Sequence, residues 1–151
     1  MGYVLDLRQT VGARPLIVVG EAALVVQTGQ LLLVKRRDNG LWGLPAGSKE
    51  LNESLATTAQ RELREETGLI GQQPKLLGVT SGPHMQYQYP NGDQIDSVTA
   101  TYALQAIGQP RVSNETSEVR LFDWQQLPTD LTPITRRILN ELELSDFKAS
   151  R

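Results

Sequence analysis

Short apolar runs along the chain predict β-strands joined by turns. Leu16–Val26 and Leu31–Val34 are rich in β-forming residues, and the segment Gln27–Gln30 between them contains a glycine that suits a tight turn. We therefore predict an antiparallel hairpin here. Apolar runs return after Pro74 and predict further strands at Leu76–Val79, Tyr87–Tyr89, Ile95–Ile107 and Val119–Phe122. In the run Ile95–Ile107 apolar and polar residues alternate, so we expect its apolar face to be the buried one.

Two segments have the composition and spacing of helices. Glu53–Thr67 contains good helix formers without Gly or Pro, and Gly68 stands where a helix C-cap is expected. Apolar residues recur at helical spacing from Ile134 to Leu142. The order is strands, helix, strands, helix, which predicts an α/β fold with one mixed β-sheet and helices packed on it. We expect a single domain over residues 1–151, with its core at about 16–142.

Composition excludes several classes of function. The 151 residues include 15 Lys and Arg against 17 Asp and Glu, a net charge of −2, which argues against a basic nucleic-acid-binding module. With no cysteine and one histidine, neither disulfides nor a zinc cage can form. No apolar run is long enough to span a membrane, and no secretory signal precedes Leu16. We therefore expect a cytoplasmic protein.

The segment Glu53–Thr67 carries the clearest candidate chemistry. At about 100° per residue, Glu62, Glu65 and Glu66 fall within one arc of about 100°, directly beside the apolar stripe that contains Leu63. Three effects of this arrangement destabilise the helix. Glu62 and Glu66 are like charges four residues apart. They lie near the C-terminal end of the helix, where its dipole disfavours anions, and their partial burial beside leucine adds a desolvation cost. A divalent cation would relieve this cost, and carboxylate oxygens favour Mg²⁺, or Mn²⁺ in its place.

A simpler interpretation is that the helix has a solvated acidic face, in which Arg61 and Glu65 form an ordinary ion pair. The segment Asp38–Gly47 before the helix favours the metal site, because its three glycines and one proline allow the backbone to approach a phosphate or a metal closely.

The segment from Gly47 to Leu69 resembles the Nudix box, G-x5-E-x7-R-E-U-x-E-E-x-G-U with U aliphatic. Gly47, Glu53, Arg61-Glu62-Leu63, Glu65-Glu66, Gly68 and Leu69 match every fixed position. The flanking sequences Trp42-Gly43-Leu44-Pro45 and Phe122-Asp123-Trp124 also look like MutT-like Nudix hydrolases. The box contains the whole formal excess of negative charge, since the rest of the chain is balanced.

This resemblance implies a mixed sheet sandwiched between helices, and Mg²⁺-dependent hydrolysis of a nucleoside diphosphate linked to another group. It also implies that Glu62, Glu65 and Glu66 bind the metal, with the Gly47 carbonyl as a further ligand. Glu53 and Arg61 would hold these glutamates in place. Relatives are frequently homodimers, so a homodimer is a further expectation.

The general base and the substrate contacts are less strongly specified. Glu66 is our first choice for the base, with Glu118 next and Glu115, in a polar loop, as a further candidate. Arg36 is a candidate for binding a phosphate, although an arginine at a strand end is as often a surface charge. The remaining candidates for substrate contact are Trp42, Tyr87, Tyr89 and His84. Packing is the favoured role for Trp42, and a single loop histidine such as His84 is more often incidental. The two tyrosines line a nucleobase pocket or pair across a hairpin.

Three functions remain open at this stage. A nucleotide sugar such as ADP-ribose is the favoured substrate, because Leu44-Pro45-Ala46-Gly47 looks like some ADP-ribose pyrophosphatases. Hydrolysis of oxidised nucleoside triphosphates is the nearest alternative. A noncatalytic nucleotide-binding Nudix domain is the third, although such domains often lose the glutamates that this chain keeps. Glu21, inside an apolar run, either has a partner in the interior or faces the site, and we favour the first interpretation.

Overall fold

Helices and strands alternate along the chain in a mixed α/β arrangement. The structure is a computed structural model that describes residues 2–142; Met1 and residues 143–151, which the predicted domain includes, lie outside the described part. In chain order the elements are α1 (Tyr3–Val11), β1 (Leu16–Leu24), β2 (Val26–Gln27), β3 (Gln30–Arg36), β4 (Trp42–Gly43), β5 (Ala46–Ser48), α2 (Leu55–Thr67), β6 (Ile70–Thr80), β7 (Gln86–Gln88), β8 (Gln94–Ile107), β9 (Thr116–Asp123) and α3 (Pro133–Glu141).

The strands form two sheets rather than the single sheet expected. The first sheet has the order β5-β1-β8-β6, with β7 also paired to β8. Its central pair, β1 and β8, is parallel, and its other pairs are antiparallel. The second sheet is antiparallel and consists of β2-β3-β4, with β9 paired to β3. The mixed α/β prediction is confirmed, with the strands divided between two sheets.

Two buried clusters place helices on opposite sides of the sheets. Ala59 and Leu63 of α2 pack with Ala23 and Leu104 in one cluster. Ile138 and Leu139 of α3 pack in the other cluster, with Ala22, Leu24, Leu31, Leu33, Trp42, Leu44 and Met85. Because Ala22 and Ala23 are neighbours on one strand, their side chains point to opposite faces of the sheet. The helices α2 and α3 therefore cover opposite faces, as the sandwich prediction requires.

The hairpin prediction was wrong in its first strand. The turn at Thr28 and Gly29 does join antiparallel strands, but only the short β2 pairs with β3. The preceding strand β1 ends at Leu24 and pairs with β8 and β5 in the other sheet. A continuous apolar run indicates burial on both faces, but it does not specify which strand is the partner.

Helix α1 was missed because its sequence contains no strong helical signal and none of its residues is buried. Contacts with other parts of the chain hold it in place. The Tyr3 amide donates to a Glu50 carboxylate oxygen at 2.8 Å. The Arg8 guanidinium donates to three carbonyl oxygens, those of Gly12, Arg14 and Gln94. A helix this short depends on such tertiary contacts.

The alternation of apolar and polar residues in β8 predicts burial of the apolar face only, whereas both faces of the strand contain buried residues. Its apolar residues Ala100 and Leu104 are buried as expected, but Ser97, Thr99 and Thr101 on the opposite face are buried as well. Both faces of the strand are covered, because α2 lies over one and the residues around α3 lie over the other. None of the α-helices in residues 2–142 has the length and hydrophobicity of a membrane span.

We expect Leu63→Ala to destabilise the protein by about 2–5 kcal/mol, because Leu63 is fully buried between α2 and the sheet and its truncation leaves a cavity. Leu51→Ala is the matched control, since Leu51 is 70% exposed. Urea unfolding of both variants measures the difference. Equal free energies of unfolding would contradict the packing described for α2.

Candidate active site

Helix α2 places its glutamates along the edge of the core. Ser54 caps its N-terminus, where the hydroxyl accepts a hydrogen bond from the Thr57 amide at 3.1 Å. Gly68 ends it in the left-handed conformation. Because Leu63 must face the sheet, Glu62 and Glu66 lie at the flanks of the buried stripe, and their side chains are largely covered. The side chain of Glu65 is 58% exposed.

Arg61 connects the carboxylates of this region. Its guanidinium makes two hydrogen bonds to Glu53, at 2.5 and 2.9 Å. It also donates to Glu62 at 2.8 Å and to Glu65 at 3.2 Å, and a further bond reaches the Ser48 carbonyl at 3.1 Å. Arg61 therefore fixes two of the predicted metal ligands relative to Glu53 in the loop before the helix; that Arg61 and Glu53 position metal ligands stays a prediction.

Gly47 makes room for the Glu62 carboxylate. A Cβ atom at Gly47 would lie 2.2 Å from the Glu62 carboxyl carbon, far inside any van der Waals contact. Gly47 lies in β5 directly opposite Glu21 of β1. The glycine that begins the sequence motif is therefore required by the close approach of a motif glutamate to the sheet.

Glu66 is held from the other side of the same edge. Its carboxylate accepts a hydrogen bond from the Ala46 amide at 2.8 Å, and Thr116 donates to its backbone carbonyl at 3.0 Å. It forms no salt bridge with any residue in the range 2–142. Glu66 is thus a buried acid whose carboxylate contacts an amide but no cation.

Burial shifts the pKa values of these acids upward. Burial raises the pKa of Glu62 to about 7, against the opposing charge of Arg61. Burial, reinforced by the charge of Glu62, raises the pKa of Glu66 well above its usual range. The same two causes raise the pKa of Glu21 to about 9. By contrast, the hydrogen bonds from Arg61 lower the pKa of Glu53 to about 2.

The donor chemistry fits a hard divalent cation. Carboxylates that are buried, mutually repelling and short of cationic partners are the ligand type that Mg²⁺ and Mn²⁺ prefer. In the described range no three acidic or histidine side chains are already gathered as a metal cage. The Arg61 bonds to Glu62 and Glu65 and the amide bond to Glu66 account for this spread, because without a cation these carboxylates repel one another.

Two connected depressions border the glutamates. The inner pocket is lined by small, hydroxyl and aromatic residues, among them Val18, Tyr87, Tyr89, Ser97, Thr99 and Thr132. The outer cleft is lined mainly by charged and polar residues, among them Arg8, Arg61, Glu62, Glu65, Asp93 and Glu115. Gly47, Arg36 and Tyr89 line both. The site therefore combines a charged cleft with a more apolar recess.

Arg36 and Tyr87 reach the site as predicted from the sequence. Arg36 lies at the junction of pocket and cleft, where Asp38 holds its guanidinium through two bonds of 2.7 and 2.9 Å. The Tyr87 hydroxyl accepts a 2.6 Å hydrogen bond from Asn39, and its ring stands edge-on to Tyr89 at 5.0 Å between centroids. Both residues remain candidates for substrate contact.

The structure does not bring Trp42 and Glu118 to the site. Trp42 is buried against Phe122 in the α3 cluster, with 4.9 Å between ring centroids, so it packs the core. Glu118 pairs on the surface with Arg120 at 2.8 Å and Lys35 at 3.7 Å. Of the two acids in this region, Glu115 is the one that lines the outer cleft.

Sequence reasoning missed several residues of the site. Asp38 and Asn39 orient Arg36 and Tyr87, but the sequence indicates only a turn-rich loop at these positions. Ser97 and Thr99 line the pocket from β8, and their signal was the regular spacing of hydroxyl residues on one strand face. The side chains of α1 that line the outer cleft had no signal in the sequence.

Comparison with known proteins decides the family. A family model described as the NUDIX domain matches residues 17–142. The chain belongs to this family. Nudix hydrolases act on nucleotide-type small molecules by cleaving pyrophosphate bonds, and they use divalent metal ions.

Relatives support the assignment along most of the chain. An ADP-ribose pyrophosphatase of Methanocaldococcus jannaschii is 34% identical over 70% of this chain and 61% of its own length, so the match spans less than two thirds of that relative. A Bacillus subtilis protein provisionally named 8-oxo-dGTP diphosphatase is 32% identical over 78% of this chain and 73% of its own length.

A solved Nudix structure has the same fold. The crystal structure of a MutT NUDIX hydrolase from Burkholderia pseudomallei superposes with a TM-score of 0.71 at 30% identity. The superposition covers 83% of this chain and 98% of that one. The overall fold described above is therefore shared with a solved Nudix hydrolase.

We expect Glu53→Gln to lower the free energy of unfolding by about 2 kcal/mol at pH 7, through loss of the charged bonds to Arg61. The pKa of Glu53 is lowered to about 2 in the folded protein from 4.5, so its stabilisation is complete above the unfolded value. It is lost as the pH falls through the range between the two values. Denaturant unfolding of both proteins from pH 7 to pH 3 should show the difference shrinking. A constant difference would contradict this role for Glu53.

Proposed function

We propose that the protein is a Mg²⁺-dependent Nudix pyrophosphohydrolase, with Mn²⁺ able to replace Mg²⁺. The observation that carries the proposal is the pair Glu62 and Glu66, two largely buried acids at the edge of an open cleft. Each has its pKa raised by burial, and Glu66 has no cationic partner among residues 2–142. A divalent cation satisfies such carboxylates better than solvent or a single arginine does.

Glu62, Glu65, Glu66 and the Gly47 carbonyl would hold the cation. When bound, it neutralises charge on a diphosphate and lowers the pKa of a coordinated water. Arg61 orients Glu62 and Glu65 through the bonds described above, and Glu53 in turn fixes Arg61. Metal sites typically contain such outer residues, which form hydrogen bonds to the ligands and set their position.

Glu66 is our candidate for the general base, because burial raises the pKa of its carboxyl and makes it a stronger proton acceptor than an exposed glutamate. Glu115 is the alternative, since it lines the outer cleft and its charge contributes to raising the pKa of both Glu62 and Glu66. Glu118 is no longer a strong candidate because it is engaged with Arg120 and Lys35 away from the cleft.

The inner pocket beside the glutamates suits the nucleoside part of a substrate. Tyr87 and Tyr89 offer aromatic surface, and Ser97 and Thr99 offer hydroxyl groups to a base or ribose. Arg36, at the junction with the charged cleft, is placed to meet a phosphate. In such a complex Arg36 would exchange Asp38 for the phosphate or bind both.

A nucleoside diphosphate linked to a sugar, such as ADP-ribose, is the favoured substrate. The similarity to an ADP-ribose pyrophosphatase supports it, as does the sequence Leu44-Pro45-Ala46-Gly47. An oxidised nucleoside triphosphate is the second candidate, which the Bacillus subtilis relative supports. A noncatalytic nucleotide-binding domain is the third, although all the glutamates of the box are present.

We expect release of a nucleoside monophosphate from at least one member of a panel that includes ADP-ribose, other nucleotide sugars and oxidised nucleoside triphosphates, and only with Mg²⁺ or Mn²⁺. Glu65→Gln should reduce kcat/KM by about 100-fold or more. Glu141→Gln is the matched control, because Glu141 pairs with Arg137 on α3. Tight nucleotide binding with no turnover of any panel member would favour the noncatalytic alternative.

A further inference from the structure

One buried glutamate lies outside the sequence motif and has no role in the reaction proposed above. Glu21 of β1 is 1% exposed. Neither of its carboxylate oxygens has a hydrogen-bond partner within residues 2–142. The sequence leaves two interpretations open for Glu21, a partner in the interior or a position that faces the site, and residues 2–142 provide no hydrogen-bond partner for its carboxylate. A buried carboxylate without hydrogen bonds is costly, so its presence requires an explanation.

The register of β1 and β5 shows where this side chain points. Glu21 is directly opposite Gly47 in an antiparallel pair, and directly opposite residues project their side chains from the same face of the sheet, about 5 Å apart. The Cβ that Gly47 lacks would fall on the Glu62 carboxylate. Glu21 therefore emerges beside the space that the Glu62 carboxylate occupies.

The face on which Glu21 lies is the one that α2 covers. Two residues along the same strand, Ala23 packs against Ala59 and Leu63 of that helix. Glu21 is thus a carboxylate in an otherwise apolar contact surface, at the point where α2 presents its acidic flank. The charges of Glu62 and Glu66 both act on it.

A purely structural role would require a cation or a donor from the chain itself. Arg61, which connects the neighbouring carboxylates, is the first candidate for such a partner of Glu21. Its hydrogen bonds, however, go to Glu53, Glu62, Glu65 and the Ser48 carbonyl. No salt bridge to Glu21 occurs in the part of the chain that the structure describes. The carboxylate therefore faces other carboxylates.

We propose that Glu21 is a further carboxylate of the divalent-cation site, which faces the cation from the sheet while Glu62, Glu65 and Glu66 face it from α2. This inference rests on the proposed function, because it requires that the site bind a divalent cation. Glu21 adds negative charge and a hard oxygen donor on the side that the helix cannot reach. Its contribution is to the affinity for the cation.

Mn²⁺ binding to the metal-free protein tests the inference without any substrate. Titrations followed by calorimetry or by electron paramagnetic resonance should give a dissociation constant about 10- to 100-fold higher for Glu21→Gln than for the wild type. Glu141→Gln again removes one carboxylate away from the site and should bind Mn²⁺ as the wild type does. Glu21→Leu, which suits the apolar surface, is the second variant and should also bind weakly.

Thermal unfolding separates this role from a structural one. In EDTA at least one of the two variants should be folded and melt no lower than the wild type, because it loses an unpartnered buried acid. On adding Mn²⁺, the melting temperature of that variant should rise less than the melting temperature of the wild type.

Three results would overturn the inference. The first is unchanged Mn²⁺ affinity in a folded variant, and the second is failure of both variants to fold in EDTA. The third is failure of the wild type to bind Mn²⁺, which would also overturn the proposed function, whereas the first two leave it intact.

Discussion

Repulsion among carboxylates at the edge of a hydrophobic core is the constraint on which this site depends. Leu63 must face the sheet to bury the apolar side of α2, and the helical repeat then carries Glu62 and Glu66 to the margin of that contact. Water cannot solvate them fully there, which raises their pKa values. The packing that stabilises the helix thus creates the concentration of negative charge beside the cleft.

Arg61 limits this repulsion without removing it. Its guanidinium connects Glu62 and Glu65 to Glu53 and to the Ser48 carbonyl at the end of β5, so part of the acidic cluster is neutralised and fixed. Glu66 and Glu21 receive no such bond from it. A divalent cation supplies the remaining positive charge. The carboxylates that destabilise α2 in the metal-free protein then become ligands of that cation. Stability and function are therefore coupled at one helix flank.

The sequence predicted the local part of this arrangement better than the distant part. The presence of α2 and α3, the end of α2 at Thr67 and the acidic flank follow from helical periodicity and the position of Gly68, whereas the link from Arg61 to the glutamates was expected from the resemblance to the Nudix box. The partner of β1 could not be predicted, because an apolar run does not encode pairing between Leu16 and Ile95. Glu118 was misplaced for a related reason, and of the two roles considered for Trp42 the structure shows the packing one: composition identifies an aromatic or an acid, whereas only the fold shows which face it occupies. Ser97 and Thr99 likewise line the inner pocket together with residues far along the chain, Thr132 and Thr135 among them.

The melting temperature of the wild-type protein with and without divalent cation tests the central claim most directly. If crowded carboxylates beside the core are a cost that the cation removes, Mg²⁺ or Mn²⁺ stabilises the folded state by mass action. The melting temperature should then be higher in either ion than in EDTA, and NaCl at the same ionic strength should not reproduce the rise. Equal melting temperatures in EDTA, Mg²⁺ and Mn²⁺ would contradict the account.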